Sequence, residues 1–381
     1  MKPLNQVHYY NMKILALETS CDETAAAVLE IKNGQFNLLS NVVSSQVKIH
    51  AKFGGIVPEV AARKQMEAVI PVLSQALKQA NFNHQETDSN FLKFIDYVAV
   101  TQGPGLITSL TVGVEVAKTL AYVFNKPLIF VNHLAGHVYS SLLSSEKQLI
   151  ISERAIKYPA LALVVSGGHT MLFLMKKNYQ FEVVGQTLDD AVGEAFDKVA
   201  QLLNLGYPGG PVISRLAELG NSKKFNLPRP MLTQDNFNFS FAGLKTAVLY
   251  LSLKLKKKNK IISPKTINNI CASFDQAAVD VLTTKTLRAL KKYQIKTFFL
   301  GGGVAANKLL RETLNKKIAV QFPETKILIP EIKFAGDNAA MIALAAYFKT
   351  KKHGSRIKSR MAKKLDYKKV KAEPNLRLDA E

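Results

Sequence analysis

Ala160-Leu161-Ala162-Leu163-Val164-Val165-Ser166-Gly167-Gly168-His169-Thr170-Met171-Leu172-Phe173-Leu174 reads as a strand, a polar turn and a returning strand. Its paired glycines suit a turn that needs positive φ or lets backbone approach a ligand closely. The same arrangement stands near the start of the chain. Lys13 to Glu18 is a strand, Thr19-Ser20-Cys21-Asp22-Glu23-Thr24 a polar turn, and Ala25 to Leu29 the return. Small and hydroxyl residues in that turn let donors approach an anion, and Glu18, Asp22 and Glu23 add carboxylates. Taken alone, a plain hairpin explains the stretch as well.

The likeness continues outward from both hairpins. In the first half, Ile95 to Thr101 is a strand running into Gln102-Gly103-Pro104-Gly105, with a helix from about Thr108 to Phe124. The apolar run Leu128 to Val131 then enters Asn132-His133-Leu134-Ala135-Gly136-His137. In the second half, Thr297 to Leu300 runs into Gly301-Gly302-Gly303-Val304-Ala305-Ala306-Asn307 and a helix from Lys308. The run Lys326 to Pro330 leads on to Gly336-Asp337-Asn338, which opens a helix from Ala339 to Phe348 with Asp337 as its expected N-cap. Strand, glycine turn, helix aims helix N-terminal amides at a bound anion. A repeat of this kind predicts two α/β lobes face to face, with the ligand turns converging between them. The expected division is an extension at 1–12, lobe I at 13–135 with the helix 338–350 packed back on it, lobe II at 136–337 with a helical insertion at about 187–260, and a loosely structured basic tail at 351–381.

His133 and His137 stand four positions apart, so on a helix both imidazoles share one face. That spacing fits half a metal site, and it fits two polar helix residues with no joint role. The duplication adds a third candidate, because it sets Asp337 opposite the pair. A His₂-carboxylate set with open positions suits a catalytic metal, with Fe²⁺ and Zn²⁺ both compatible.

Composition narrows the class. The chain has 381 residues, 47 % of them hydrophobic, which excludes global disorder. No apolar run is long enough to span a bilayer, and residues 1–12 lack the pattern of a signal peptide, so a cytoplasmic protein without membrane partners is expected. Cys21 and Cys271 make no disulfide framework. A formal charge of +22 points to a polyanionic partner, nucleic acid before membrane. The basic run Lys254 to Lys260 and the Lys/Arg-rich stretch after Lys351 are candidate phosphate contacts, or merely solvated surface.

Several motifs together resemble one family. They include Leu17 to Thr24, Gly54-Gly55-Ile56-Val57-Pro58-Glu59, Gln102 to Gly105, Asn132 to His137, Val165 to Thr170 and Gly193-Glu194-Ala195-Phe196-Asp197-Lys198. Tyr207-Pro208-Gly209-Gly210-Pro211, Phe239-Ser240-Phe241-Ala242-Gly243-Leu244-Lys245, Gly301 to Asn307 and Gly336 to Met341 complete the set. In order and spacing they look like the universal tRNA threonylcarbamoyladenosine transferases, called TsaD in bacteria. The resemblance implies the duplicated actin-like, sugar-kinase and Hsp70-type ATPase fold. It implies transfer of a threonylcarbamoyl group from threonylcarbamoyl-adenylate to N6 of adenosine 37 in tRNAs reading codons that begin with A, with release of AMP.

Carried over residue by residue, His133, His137 and Asp337 would hold one divalent metal ion per subunit, Fe²⁺ ahead of Zn²⁺. Val164, Val165, Ser166, Gly167, Gly168, Asp197, Gly210, Ser214 and Asn307 would hold the adenylate. Gly167, Gly168, Gly209 and Gly210 would clear side chains from its path. Asp22 is the candidate for positioning or deprotonating the amine, though a carboxylate capping backbone amides reads nearly as well. Partners implied are tRNA, an inactive paralogue like TsaB and a small ATPase like TsaE. Two departures stand out: Ser214 where members often carry Asp, which puts a second ribose contact in question, and Gln65 where they usually carry His, read as peripheral. A zinc peptidase is the wrong comparison, since Leu134 occupies the place of that motif's general-base Glu. A kinase or ATPase of the same fold, or a non-catalytic tRNA-binding scaffold, remain the alternatives.

Overall fold

Both halves of the chain build the same five-stranded sheet. The computed structural model describes residues 11–32, 35–80, 92–143, 156–353 and 370–380. In the first half β1 (Met12–Glu18), β2 (Glu23–Lys32), β3 (Gln35–Ser45), β4 (Tyr97–Gly103) and β5 (Leu128–Asn132) lie in the order β3-β2-β1-β4-β5. The second half has β6 (Ala160–Val165), β7 (Thr170–Lys177), β8 (Gln180–Gln186), β9 (Thr297–Gly301) and β10 (Lys326–Leu328), ordered β8-β7-β6-β9-β10. In each sheet the first three strands form an antiparallel meander, and the last two run parallel to the first. The expected duplication is therefore one of topology. The third strand of each meander was not expected from sequence, because β3 and β8 are sheet edges whose polar residues blur the alternation.

Alternating residues divide each strand between two cores. Leu15 and Leu17 of β1 face outward onto α1 (Pro58–Ala80) and α2 (Ile107–Val123), among Val72, Leu77, Val114 and Ala117. Ile14 and Ala16 face inward. On β6, Leu161, Leu163 and Val165 face the outer helices of the second half, while Ala160, Ala162 and Val164 face inward.

Between the two inner faces lie α3 (His133–Ser140) and the helix formed by Ala339–His353. Residues Ala339 to Phe348 of that helix are all buried, as expected for a helix apolar on every side. Contact there is close: a Cβ on Gly136 would meet Ile342 Cδ1 at 2.9 Å. Tyr139 locks the junction, stacking on Phe348 at 4.1 Å between centroids and accepting from Tyr179 N at 2.9 Å. The outer helices of the second half are α4 (Val192–Leu202), α5 (Gly209–Ala217), α6 (Ala242–Asn259), α7 (Pro264–Tyr293) and α8 (Lys308–Gln321), so Ala339–His353 is α9.

Two sequence expectations change. Asp337 does not cap α9; Asn338 does, its Oδ1 accepting from Met341 N at 3.1 Å, which frees the Asp337 carboxylate to point elsewhere. The C-terminal stretch is not uniformly loose. Glu373 N donates to Gln102 O at 2.8 Å, Gly105 N to Pro374 O at 3.1 Å and Asn132 Nδ2 to Leu376 O at 3.3 Å. Leu378 is buried. Most of the proposed extension (residues 1–10) and the basic stretch 354–369 lie outside the described residues. Among the described residues no helix is long and apolar enough to cross a membrane.

Candidate active site

Four of the candidate loops follow the carboxyl ends of strands, where open α/β sheets present ligand sites. The Thr19–Asp22 turn follows β1, the histidine helix follows β5, Ser166–Gly168 follow β6, and the triple-glycine turn overlaps the end of β9. Close backbone approach ties the last to the second: a Cβ on Gly301 would overlap His137 O. Gly302, at φ +91°, lies equally close to Val165 O.

The structure brings His133, His137 and Asp337 together, with one ligand atom from each lying within 4.8 Å of the others. Asn132 caps α3, its side chain accepting from Leu134 N at 2.9 Å, and so sets the first turn that carries both rings. Asp337 Oδ1 lies 3.2 Å from His137 Nε2 and 3.6 Å from His133 Nε2. Donors about 2.1 Å from a shared ion stand roughly 3–3.5 Å apart, so the set fits a divalent metal. Neither ring nitrogen of fully buried His137 makes a well-directed hydrogen bond among the described residues, Nε2 meeting only the Asp337 carboxylate, and such a nitrogen is costly unless it serves a ligand. Burial, then neighbouring His133, hold His137 below its ordinary pKa, so its ring is neutral, the form that binds metal. Burial also opposes charge on His133, but Asp337 and Glu18 outweigh it and raise its pKa to about 9. Asp337, despite its burial, is held well below the usual carboxylate range by the two imidazoles.

Glu18 was not singled out in the sequence as anything more than a turn carboxylate. Fully buried, its Oε2 faces His133 Nδ1 at 3.2 Å and accepts from Thr101 Oγ1 at 2.5 Å, while Oε1 accepts from Ser20 N at 2.5 Å. A carboxylate on Nδ1 keeps a proton there, so Nε2, on the Asp337 side, is the nitrogen that gives up its proton to bind a metal.

The acidic turn faces the same point. Burial, then the nearby Asp337 and Asp22 charges, push Glu23 up; burial, Asp22 and Asp337 do the same to the Cys21 thiol. Asp22 itself is buried. Gln65 is not peripheral. Buried on α1, it donates through Nε2 toward Cys21 O at 2.9 Å, Glu23 O at 3.2 Å and Thr19 O at 3.4 Å, and so holds the turn that carries Asp22.

Beyond the trio, Val164 and Val165 are buried at the end of β6, while Gly167 and Gly168 are exposed in the following turn. A Cβ on Gly167, Gly168 or Gly210 would meet nothing within 4 Å, so these three glycines border open space. Gly209 differs from the expectation that grouped it with them: its Cβ would strike Phe196 O at 2.6 Å, so packing demands it. Asp197 is half-buried on α4, and its Oδ1 accepts from Gly209 N at 2.7 Å. Burial raises its pKa, with the Gly209 and Gly210 N–H groups opposing. Tyr207 is raised by burial and by Asp22 and Asp197, so it stands within the field of both. His169, at the end of the glycine turn, is drawn down to about 4 by burial and by His133 and His137. Ser214 and Asn307 meet directly, Asn307 Nδ2 donating to Ser214 Oγ at 3.0 Å.

A family model for tRNA N6-adenosine threonylcarbamoyltransferase, TsaD, matches residues 37–344. The chain belongs to the TsaD family. It is 47 % identical over 335 residues to a tRNA N6-adenosine threonylcarbamoyltransferase of Bacillus subtilis, covering 88 % of this chain and 90 % of that one. The relative of the same name from Thermosipho melanesiensis is 49 % identical over 337 residues, covering 88 % and 94 %. Among solved structures, HypF of T. kodakarensis is similar in fold at a TM-score of 0.55 and 14 % identity, over 91 % of this chain and 48 % of that one. Full-length HypF in a phosphate- and nucleotide-bound form gives 0.54 and 13 %, over 90 % and 47 %.

Within this TsaD-family chain, two quoted motifs turn out to brace one another. Asp189 Oδ1 accepts from Phe241 N at 2.8 Å, and Asp190 pairs with Lys245 at 2.7 Å and Lys198 at 2.9 Å. The Phe239–Lys245 motif is thereby fastened to the start of α4, which carries Asp197. What sequence reasoning missed (Glu18 as the His133 partner, Gln65, His169, Tyr207) consists of side chains that reach the site from a distant element or beside a motif already explained.

Proposed function

We propose that the chain transfers a threonylcarbamoyl group from threonylcarbamoyl-adenylate to N6 of adenosine 37 in tRNA, releasing AMP. The observation that carries this reading is the convergence of His133, His137 and Asp337 to within 4.8 Å, in a chain whose Gly167, Gly168 and Gly210 open onto free space. His133 Nε2, His137 Nε2 and the Asp337 carboxylate would hold the ion, Fe²⁺ by our reading. The chemistry supplied there by a bound divalent ion is Lewis-acid polarisation of the carbamoyl or phosphate oxygens. The bare backbone of Gly167, Gly168 and Gly210 admits the nucleotide, and the remaining oxygen of Asp197 accepts from a ribose hydroxyl. Asp22 holds the exocyclic amine and takes its proton as N6 attacks the carbamoyl carbon. The bond from that carbon to the phosphate oxygen breaks, and AMP leaves with its electron pair.

The deciding assay combines the purified chain, threonylcarbamoyl-adenylate and tRNA, with and without chelator, and is repeated with the accessory proteins. Modification that disappears in chelator and in His133→Ala supports the transferase. ATP hydrolysis untouched by His133→Ala, with no modification, would mean an ATPase of the same fold instead.

A further inference from the structure

Asn307 has little left to offer a ligand. Its Oδ1 accepts from Leu310 N at 2.8 Å and caps α8. Its Nδ2 donates to Ser214 Oγ at 3.0 Å and to Asp275 Oδ1 at 2.8 Å, engaging both of the N–H bonds an amide possesses. Three helices, α5, α7 and α8, are thus pinned to one side chain.

The groups left over belong to its partners. The Ser214 hydroxyl accepts from Asn307 and keeps its own O–H to donate. Among the described residues nothing donates to the second carboxylate oxygen of Asp275. A free donor and a free acceptor held on one amide match a hydroxyl, which both donates and accepts. Ser214 also stands one helical turn after Gly210, on the α5 face that borders open space. Asp275 is 3 % exposed, and burial lifts its carboxyl to about 6 against the opposing Asn307 bond, so a further donor would stabilise its charged form.

We propose that Asp275 and Ser214 together read a ribose hydroxyl of the bound adenylate, and that Asn307 is a positioning residue that holds them. The carboxylate of this pair is supplied from α7, and the hydroxyl from α5. The proposal rests on the adenylate site described above.

Calorimetric titration with AMP, 2′-deoxy-AMP and 3′-deoxy-AMP tests it on the whole chain. Wild type should prefer AMP over one deoxy analogue by about tenfold to a hundredfold, the range for a hydrogen bond with a charged partner. In Asp275→Ala and Ser214→Ala, AMP should weaken to the level of that analogue, whose own affinity stays put. Asp275→Asn keeps an acceptor for Asn307 and tests the charge with the packing preserved; its preference should shrink. Ser214→Asp placed in the Asp275→Ala background should restore the preference. Equal weakening of all three nucleotides, or an unchanged preference, overturns the proposal while leaving the adenylate site intact. Wild type that binds none of them removes the site and the proposal with it.

Discussion

Replacing Glu18 by glutamine exchanges one buried oxygen for an NH₂ group, and the three donors around it make the result calculable. Ser20 N points at Oε1, whereas Thr101 Oγ1 and His133 Nδ1 point at Oε2. An amide has one acceptor oxygen. If it takes the Oε2 place, NH₂ meets the Ser20 N–H, a donor against a donor, costing about 1–3 kcal/mol. If it takes the Oε1 place, NH₂ faces His133 Nδ1, and the ring proton must move to Nε2, the nitrogen aimed at Asp337. Either way the His133 lone pair is less available, and removal of a partner of this kind lowers metal affinity by roughly 10–100-fold, or about 1.4–2.7 kcal/mol. The assay is competition between stripped protein and a chromophoric chelator for Zn²⁺ or Co²⁺ at pH 7.5, with the Co²⁺ absorption band as a second readout of ligand geometry. Thermal melts of the stripped proteins separate this from general damage. Glu18→Gln binding metal as tightly as wild type, with the same Co²⁺ spectrum, would refute the reasoning.

Metal-free protein should lose stability between pH 7 and 9.5. The His133 pKa is raised in the folded state to about 9, so its contribution is complete below the unfolded value near 6.5 and vanishes as pH rises through 9. Urea unfolding of the stripped chain should register roughly 2–3 kcal/mol, and His133→Gln should flatten the curve. Gln65→Leu strands the carbonyls of Cys21 and Glu23, which should cost about 1–3 kcal/mol in the same measurement and slow the transfer through the Asp22 turn. Neutralising the exposed Lys254, Lys256, Lys257 and Lys260 on and just after α6 should reduce the salt slope of tRNA binding by about 0.7–0.9 for each phosphate no longer neutralised by a lysine; an unchanged slope clears this face of the role.

What could be read from the chain depended on sequence distance. The two hairpins, the glycine turns and the histidine pair are local patterns, and the paired sheets β3-β2-β1-β4-β5 and β8-β7-β6-β9-β10 answer the duplication seen in them. Asp337 was legible as a partner of the histidines only through that duplication, and its expected capping role went instead to Asn338. Gln65 looked peripheral because its three acceptors lie more than forty positions earlier. Nothing local in Glu18 distinguishes a turn carboxylate from the partner of a ring 115 residues away. Residues 370–380 read as loose because they are polar and short of apolar spacing. Their order comes from backbone bonds to the Gln102–Gly105 loop, where a Cβ on Gly103 would collide with Glu373 O.

The position of α9 has a bearing on how the chain is made. The buried residues of the second half's outer core all fall between Leu161 and Ala335, and those of the first half's between Leu15 and Leu128. The inner face of the first sheet, with Ile14, Ala16, Ala25 and Ala27, is covered by Ala339 to Phe348. As the ribosome works from the amino end, the lobe begun first is therefore completed last. Once β5 ends at Asn132, the inner face of β1 and β2 must wait for α9 through about two hundred further residues, an interval in which association with other chains competes with folding. A message interrupted between Ala335 and Asp337 would yield a finished outer core of the second lobe joined to an open first sheet, with a histidine pair and no aspartate to face it.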